Sequence, residues 1–117
     1  MEVIETGIGE AQKEGVAIAA SPVTETIKQV DRDSHVTRAL DRSELRAIHT
    51  PQVFRADTLK KIHENPTVDA TDDAGPAERM GYAVKVYNDS LENIKITTKE
   101  DLATAEIILS KRNSGAR

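Results

Sequence analysis

The stretch Asn93-Ile94-Lys95-Ile96-Thr97-Thr98-Lys99-Glu100-Asp101-Leu102 decides the fold. Ile94 and Ile96 alternate with polar neighbours, and this period of two predicts a short strand carrying Lys95. Thr98 stands three residues before Asp101. Its hydroxyl can accept from the Asp101 amide while the Asp101 carboxylate reaches back, so a capped helix should follow at once. A strand feeding a capped helix suggests an α/β domain. It would hold a lysine at a strand end, where such domains bind phosphorylated ligands. An ammonium on a rigid mount anchors phosphate better than one on a loose loop.

On the C-terminal side, Leu102, Ala105, Ile108 and Leu109 fall on one helical face, and Ser110 to Arg117 should fray. On the N-terminal side, Tyr82 to Tyr87 reads as a strand. Thr71-Asp72-Asp73-Ala74 opens a helical turn, with Pro76 near its start and Gly81 near its end. Ala56 to Glu64 reads as a helix with Leu59 and Ile62 inward and Asp57 favouring the dipole. Leu45 to His49 is a further predicted strand, closed by Thr50-Pro51. Thr26 to Val30 and His35 to Leu40 alternate with period two about a polar turn, Asp31 to Ser34, and predict a β-hairpin. A lone hairpin is marginal in water, so it must lie on the domain body or on another subunit. Val16 to Ala20 is apolar on both faces, as a buried parallel strand is, and Pro22 ends it. Val3, Ile4, Ile8 and Ala11 recur at helical spacing before Gly15. Gly7 and Gly9 weaken that helix by roughly 1 kcal/mol each. The order is helix, strand, hairpin, strand, helix, helix, strand, strand, helix. This is α/β, and it has the pattern of the back half of something larger.

The chain has 117 residues, enough for one small domain. Aromatic residues make up 3%, so the core must rest on Val, Ile, Leu and Ala and is thin. A partner surface is expected to contribute to its stability. The net charge of −4, with cations spread along the chain, argues against a nucleic-acid binder. Two or three well-placed cations would still suffice for a small anion. With no cysteine there is no disulfide, no thiolate nucleophile and no cysteine zinc site. No apolar run reaches the roughly 18 residues of a membrane span. The acidic opening lacks the order of a signal peptide, so a soluble cytoplasmic protein is expected.

Local motifs for catalysis are missing. No serine sits in a Gly-x-Ser-x-Gly turn, and there is neither a P-loop nor a dinucleotide fingerprint. His35, His49 and His63 are scattered and read as surface or packed side chains, not as a shared metal site. Asp72-Asp73 could suggest a metal, but adjacent carboxylates at a helix start more often serve the dipole. Thr71 before them is a natural N-cap. Arg42 is either a surface charge or a bidentate phosphate ligand reaching into a partner's site.

Together these pieces are more specific. Pro22-Val23-Thr24-Glu25-Thr26-Ile27-Lys28, Leu40-Asp41-Arg42-Ser43-Glu44-Leu45, Thr50-Pro51-Gln52-Val53-Phe54, Thr71-Asp72-Asp73-Ala74 and Asn93-Ile94-Lys95-Ile96-Thr97 resemble, in order and spacing, motifs of the methylerythritol-phosphate cytidylyltransferases. The resemblance covers nearly the whole chain but only part of that family's domain. It implies the C-terminal part of a Rossmann-like nucleotidyltransferase domain, here residues 1–117, with a protruding β-hairpin arm at residues 24–41. The Gly-rich CTP loop and the Asp that helps bind magnesium belong to an N-terminal half not found in these residues. The chain alone is therefore expected to be inactive, and no metal ligand is expected within it.

The resemblance further implies an enzyme of isoprenoid precursor synthesis. It would join CTP and methylerythritol phosphate to give the cytidylyl diphosphate and pyrophosphate, with Mg2+ accompanying the CTP. Arg42 and Lys95 match residues that position the sugar phosphate, and Thr26, Thr50 and Thr71 match positions lining its pocket. The arm matches one that crosses to the other subunit of a homodimer. Alternatives are a non-catalytic dimerisation remnant of the family, or an enzyme acting on pentitol phosphates. Arg46, His49, Gly75-Pro76 and Glu25 depart from the family's usual residues. The first three bear on arm packing and the pocket rim.

Overall fold

The computed structural model describes residues 2–64 and 74–115. Helix α1 (Glu2–Glu14) leads into strand β1 (Val16–Pro22). The hinge is Gly15, whose φ of +94° is a region that glycine adopts at little cost. Its amide donates to the Ala11 carbonyl at 2.7 Å, closing the helix. Strands β2 (Lys28–Val30) and β3 (Val36–Ala39) follow, then a 3-10 turn (Arg42–Glu44) and β4 (Arg46–Phe54). Helices α2 (Ala56–His63) and α3 (Ala74–Arg79), strand β5 (Lys85–Asn88) and helix α4 (Lys99–Gly115) complete the described chain.

Strand β1 is the centre of a three-stranded sheet in the order β4-β1-β5. It is parallel to β5, with Ile18 opposite Val86, but antiparallel to β4, with Val16 opposite Phe54. The expected buried strand is therefore correct, while its setting is a mixed sheet. Successive side chains alternate between faces. Ala17 and Ala19 pack with Ala11, Tyr87, Val3 and Val53 beneath α1. Val16 packs on the other face with Ile62 of α2 and Ala77 of α3, flanked by Phe54, Met80, Tyr82 and Val84. Small side chains on β1 let α1 approach closely. At Gly7, an added Cβ would lie 2.5 Å from Tyr87 Oη and 2.8 Å from Val53 Cγ2. The Tyr87 hydroxyl donates to the Val3 carbonyl at 2.9 Å, fastening α1 to the sheet.

Several expectations need correcting. Strand β4 does not close at Thr50-Pro51 but runs on to Phe54, through a cis Thr50–Pro51 bond. Between the pairs Ile18–Gln52 and Ala20–Ile48, β1 uses only Ala19 while β4 uses His49, Thr50 and Pro51. The extra residues form a bulge, and a bulge accommodates a proline that cannot donate to the ladder. Strand β5 is shorter than the predicted Tyr82–Tyr87. Ile94 to Ile96 is not a strand, because residues 93–97 pair with no strand among the described residues. Ile4 and Ile8 of α1 are exposed, since the face that meets the sheet carries Val3, Gly7 and Ala11. Helix α4 extends to Gly115 instead of fraying at Ser110, and no residue of it is buried among those described. Its Ala105, Ile108 and Leu109 border a cavity of about 550 Å3 beside Val3. Thr71, Asp72 and Asp73 lie outside the described residues.

The hairpin and the helix cap agree with the sequence. Strands β2 and β3 form a separate two-stranded sheet, with Val30 opposite Val36 and every residue of both strands exposed. At the start of α4 the Asp101 amide donates to Thr98 Oγ1 at 3.1 Å, and the Thr98 amide donates to Asp101 Oδ2 at 3.1 Å. The Thr97 hydroxyl and amide also donate to that carboxylate, at 2.8 and 3.0 Å. These bonds, those from Thr97 foremost, hold the Asp101 carboxyl below the usual carboxylate range.

Candidate functional site

The carboxyl ends of β1 and β5 lie side by side, and the β4 bulge opens next to them. A cleft of about 480 Å3 forms there, walled by Ile48, His49, Thr50 and Gln52 of β4 and by Asn93 and Lys95 beyond β5. Outside the carboxyl ends of parallel strands is where open α/β sheets bind ligands. Thr50 and Lys95 thus share one cleft. The Lys95 segment lacks a strand ladder, but it is tied down by side chains. Asn93 Nδ2 donates to the Thr50 carbonyl at 2.6 Å and to Asp89 Oδ2 at 2.5 Å.

Arg42 and Thr26 do not line this cleft. Arg42 is exposed in the 3-10 turn, and its guanidinium donates to the Thr24 carbonyl at 2.9 Å. It therefore ties the two ends of the arm together. Asp41 caps the turn by accepting from the Ser43 hydroxyl and amide at 2.8 and 3.0 Å. Those two bonds, the hydroxyl's first, lower its pKa. Thr26 is exposed just before β2. Thr71 lies outside the described residues.

Two features of the cleft were not foreseen. Gln52 Oε1 is buried with no hydrogen-bond partner among the described residues. The second is a polar chain behind the wall. Ser21 Oγ lies 3.0 Å from His49 Nε2, and His49 Nδ1 lies 3.1 Å from Asp89 Oδ2. The His49 and Asp89 side chains are only 14% and 8% exposed. Burial raises the Asp89 pKa, but hydrogen bonds from Asn93, His49 and the Ser90 amide, with the charge of His49, outweigh it and leave it lowered. These residues are far apart in sequence, and no local spacing announces them. The only hint was that His49 is unusual before Thr-Pro-Gln.

A carboxyl depressed on folding stabilises the native state above its unfolded pKa, about 3.9, and that contribution is lost as pH falls through the lower folded value. Urea midpoints measured against pH should therefore drop more steeply below about pH 4 for the native chain than for Asp89→Asn. Parallel curves would remove Asp89 from the account.

Among the described residues the cleft wall offers amide, hydroxyl, imidazole and ammonium groups but no carboxylate. Magnesium is held through carboxylate oxygens and phosphates, so these residues do not fit its ligand set. Asp31, Asp33 and His35 do cluster, but on the exposed hairpin turn.

A mixed sheet covered by helices on both faces, with a cleft at the strands' carboxyl ends, defines an α/β domain with a ligand-binding crevice. Residues 1–111 match the family described as IspD, 2-C-methyl-D-erythritol 4-phosphate cytidylyltransferase, and the chain belongs to that family. Curated relatives bear the same name. The one from Dehalococcoides mccartyi strain 195 is 42% identical over 108 residues, which are 92% of this chain and 48% of the relative. The one from Alkaliphilus metalliredigens is 44% identical over 117 aligned positions, 97% of this chain and 48% of the relative. The chain spans about half the length of the curated relatives it matches.

Solved structures agree. The 4-diphosphocytidyl-2C-methyl-D-erythritol synthase of Anaerococcus prevotii superposes with a TM-score of 0.85 at 30% identity, over 93% of this chain and 52% of that one. The Thermus thermophilus cytidylyltransferase gives a TM-score of 0.77 at 27% identity, over 92% of this chain and 54% of that one. No helix among the described residues is long and apolar enough to cross a membrane.

Proposed function

We propose that these residues form the sugar-phosphate side of a 2-C-methyl-D-erythritol 4-phosphate cytidylyltransferase. The CTP cradle and the magnesium ligand come from residues other than these, as the C-terminal part of such a domain requires. The observation that carries this reading is the shared cleft. Thr50 and Lys95, matched through separate motifs, line the same cleft.

In the reaction an oxygen of the sugar phosphate attacks the α-phosphorus of CTP. A new P–O bond forms, the bond to the β-phosphate oxygen breaks, and pyrophosphate leaves. Two anions must approach in line, so fixed cations are needed to screen and align them. Lys95 holds the attacking phosphate from the cleft wall, and Thr50 and Thr71 contribute hydroxyls. Arg42 and Thr26 sit on or beside the arm and outside this cleft, which supports their serving the site of a second subunit. Val30 and Val36 face each other on the arm and are 55% and 57% exposed. Burying each against a partner would be worth about 1.5–3 kcal/mol. Light scattering should give a dimer for the native chain and a monomer for Val30→Asp/Val36→Asp with unchanged circular dichroism. A native monomer would contradict the dimer.

The test of function is a hybrid enzyme in which residues 1–111 replace the segment they align with in the Dehalococcoides mccartyi relative. The hybrid should release pyrophosphate only when both CTP and methylerythritol phosphate are present, and the 117-residue chain alone should release none. A folded hybrid without turnover, or one that prefers pentitol phosphates, would overturn the assignment.

A further inference from the structure

The order Ser21, His49, Asp89 looks like a hydrolase triad, and geometry rejects it. Ser21 is 1% exposed, so its oxygen meets no substrate. The trio must act in another direction. An ionised carboxylate only accepts, so His49 Nδ1 carries a proton toward Asp89. His49 Nε2 then accepts from the Ser21 hydroxyl when the ring is neutral and donates to the same oxygen when it is charged. The ring is held in either state.

The holding is transmitted onward. Asp89 Oδ2, bonded to His49, also accepts from Asn93 Nδ2. Asn93 Nδ2 donates as well to the carbonyl of Thr50, the residue after His49. The bonds therefore close a ring: His49 side chain, Asp89, Asn93, Thr50 main chain, and back to His49. This ring joins the β4 bulge to a segment that has no strand ladder of its own, and Lys95 lies two residues beyond Asn93.

We propose that His49 is a positioning residue: through Asp89 and Asn93 it clamps the Lys95 segment against the Thr50 edge, presetting the cleft for the phosphate of a polyol phosphate. The clamp is a feature of the free protein, while its use for a sugar phosphate rests on the function proposed above. A closed ring fixes the loop better than single bonds do, because each member is oriented by two partners.

Two measurements separate these claims. In the free 117-residue chain, amide hydrogen exchange should quicken at residues 93–97 in His49→Leu and Asn93→Ala, and stay slow in β1. Leucine fills space comparable to the ring without its bonds. His49→Gln, whose amide can donate to Asp89 and accept from Ser21, should restore protection. Unchanged exchange in His49→Leu, or uniform quickening that includes β1, would overturn the clamp. In the hybrid enzyme, His49→Leu should raise KM for methylerythritol phosphate by roughly tenfold, about one hydrogen bond's worth, leave KM for CTP unchanged, and be rescued by His49→Gln. Equal changes in both KM values would overturn its role toward the sugar phosphate. A native hybrid that does not turn over refutes the proposed function, while the exchange result still decides the clamp.

Discussion

Lys95→Ala in the hybrid enzyme should lower kcat/KM for methylerythritol phosphate by roughly 10- to 150-fold, with KM for CTP unchanged. The size follows from removing a charged donor to an anion, a loss of about 1.5–3 kcal/mol. The selectivity follows from position, because Lys95 shares its cleft with Thr50 and Gln52. Arg42→Ala should give a loss of the same order, with a second signature. The Arg42 guanidinium also holds the Thr24 carbonyl, so its removal loosens the arm and should weaken the dimer. Arg42→Lys should not rescue turnover, because an ammonium lacks the planar fork that grips a phosphate twice. Equal effects of Lys95→Ala on both substrates would place the lysine outside the sugar-phosphate contacts.

Alanine at Gly7 and alanine at Gly9 should change stability in opposite directions. In sequence both glycines only weaken α1. In the structure a Cβ at Gly9 meets nothing within 4 Å, so Gly9→Ala gains helix propensity, about 1 kcal/mol. At Gly7 the same gain is overrun. A Cβ there collides with Val53 and with the Tyr87 hydroxyl, which is committed to the Val3 carbonyl. Overpacking costs about 1–3 kcal/mol, and losing the Tyr87 bond costs about 1 more. Gly7→Ala should therefore be destabilised by about 2 kcal/mol net, and urea denaturation checks both variants. A stabilised Gly7→Ala would mean that α1 does not sit this close to β5.

These contrasts show what the residues alone could convey. Local chemistry was legible. The Thr98–Asp101 cap, the stop at Gly15, the buried run Val16 to Ala20 and the hairpin all depend on neighbours in sequence. Interactions between distant segments were not. The alternation Ile94-Lys95-Ile96 imitates a strand, yet it joins neither edge of the three-stranded sheet, β4 or β5. Leu102, Ala105, Ile108 and Leu109 suggested one apolar face of α4, yet apolar residues such as Ile107 point elsewhere too and none of the helix is buried among the described residues. The bulge at His49 to Pro51 depends on the register with β1, which resumes at Ala20 opposite Ile48. Of the matched site residues, Thr50 and Lys95 were brought together by the motifs and share a cleft in the fold. The chain of Ser21, His49 and Asp89 was missed because a serine, a histidine and an aspartate on three separate segments have no common spacing to recognise. Only the odd histidine before Thr50 pointed there.

The central claim is that two cations, one on the cleft wall and one beside the arm, converge on a single sugar phosphate. The most direct measurement is a crystal structure of the hybrid enzyme with methylerythritol phosphate bound. The phosphate is expected within about 3 Å of Lys95 Nζ and of an Arg42 guanidinium supplied across the dimer. A bound sugar phosphate with Lys95 and Arg42 both turned to solvent, away from any shared cleft, would contradict it.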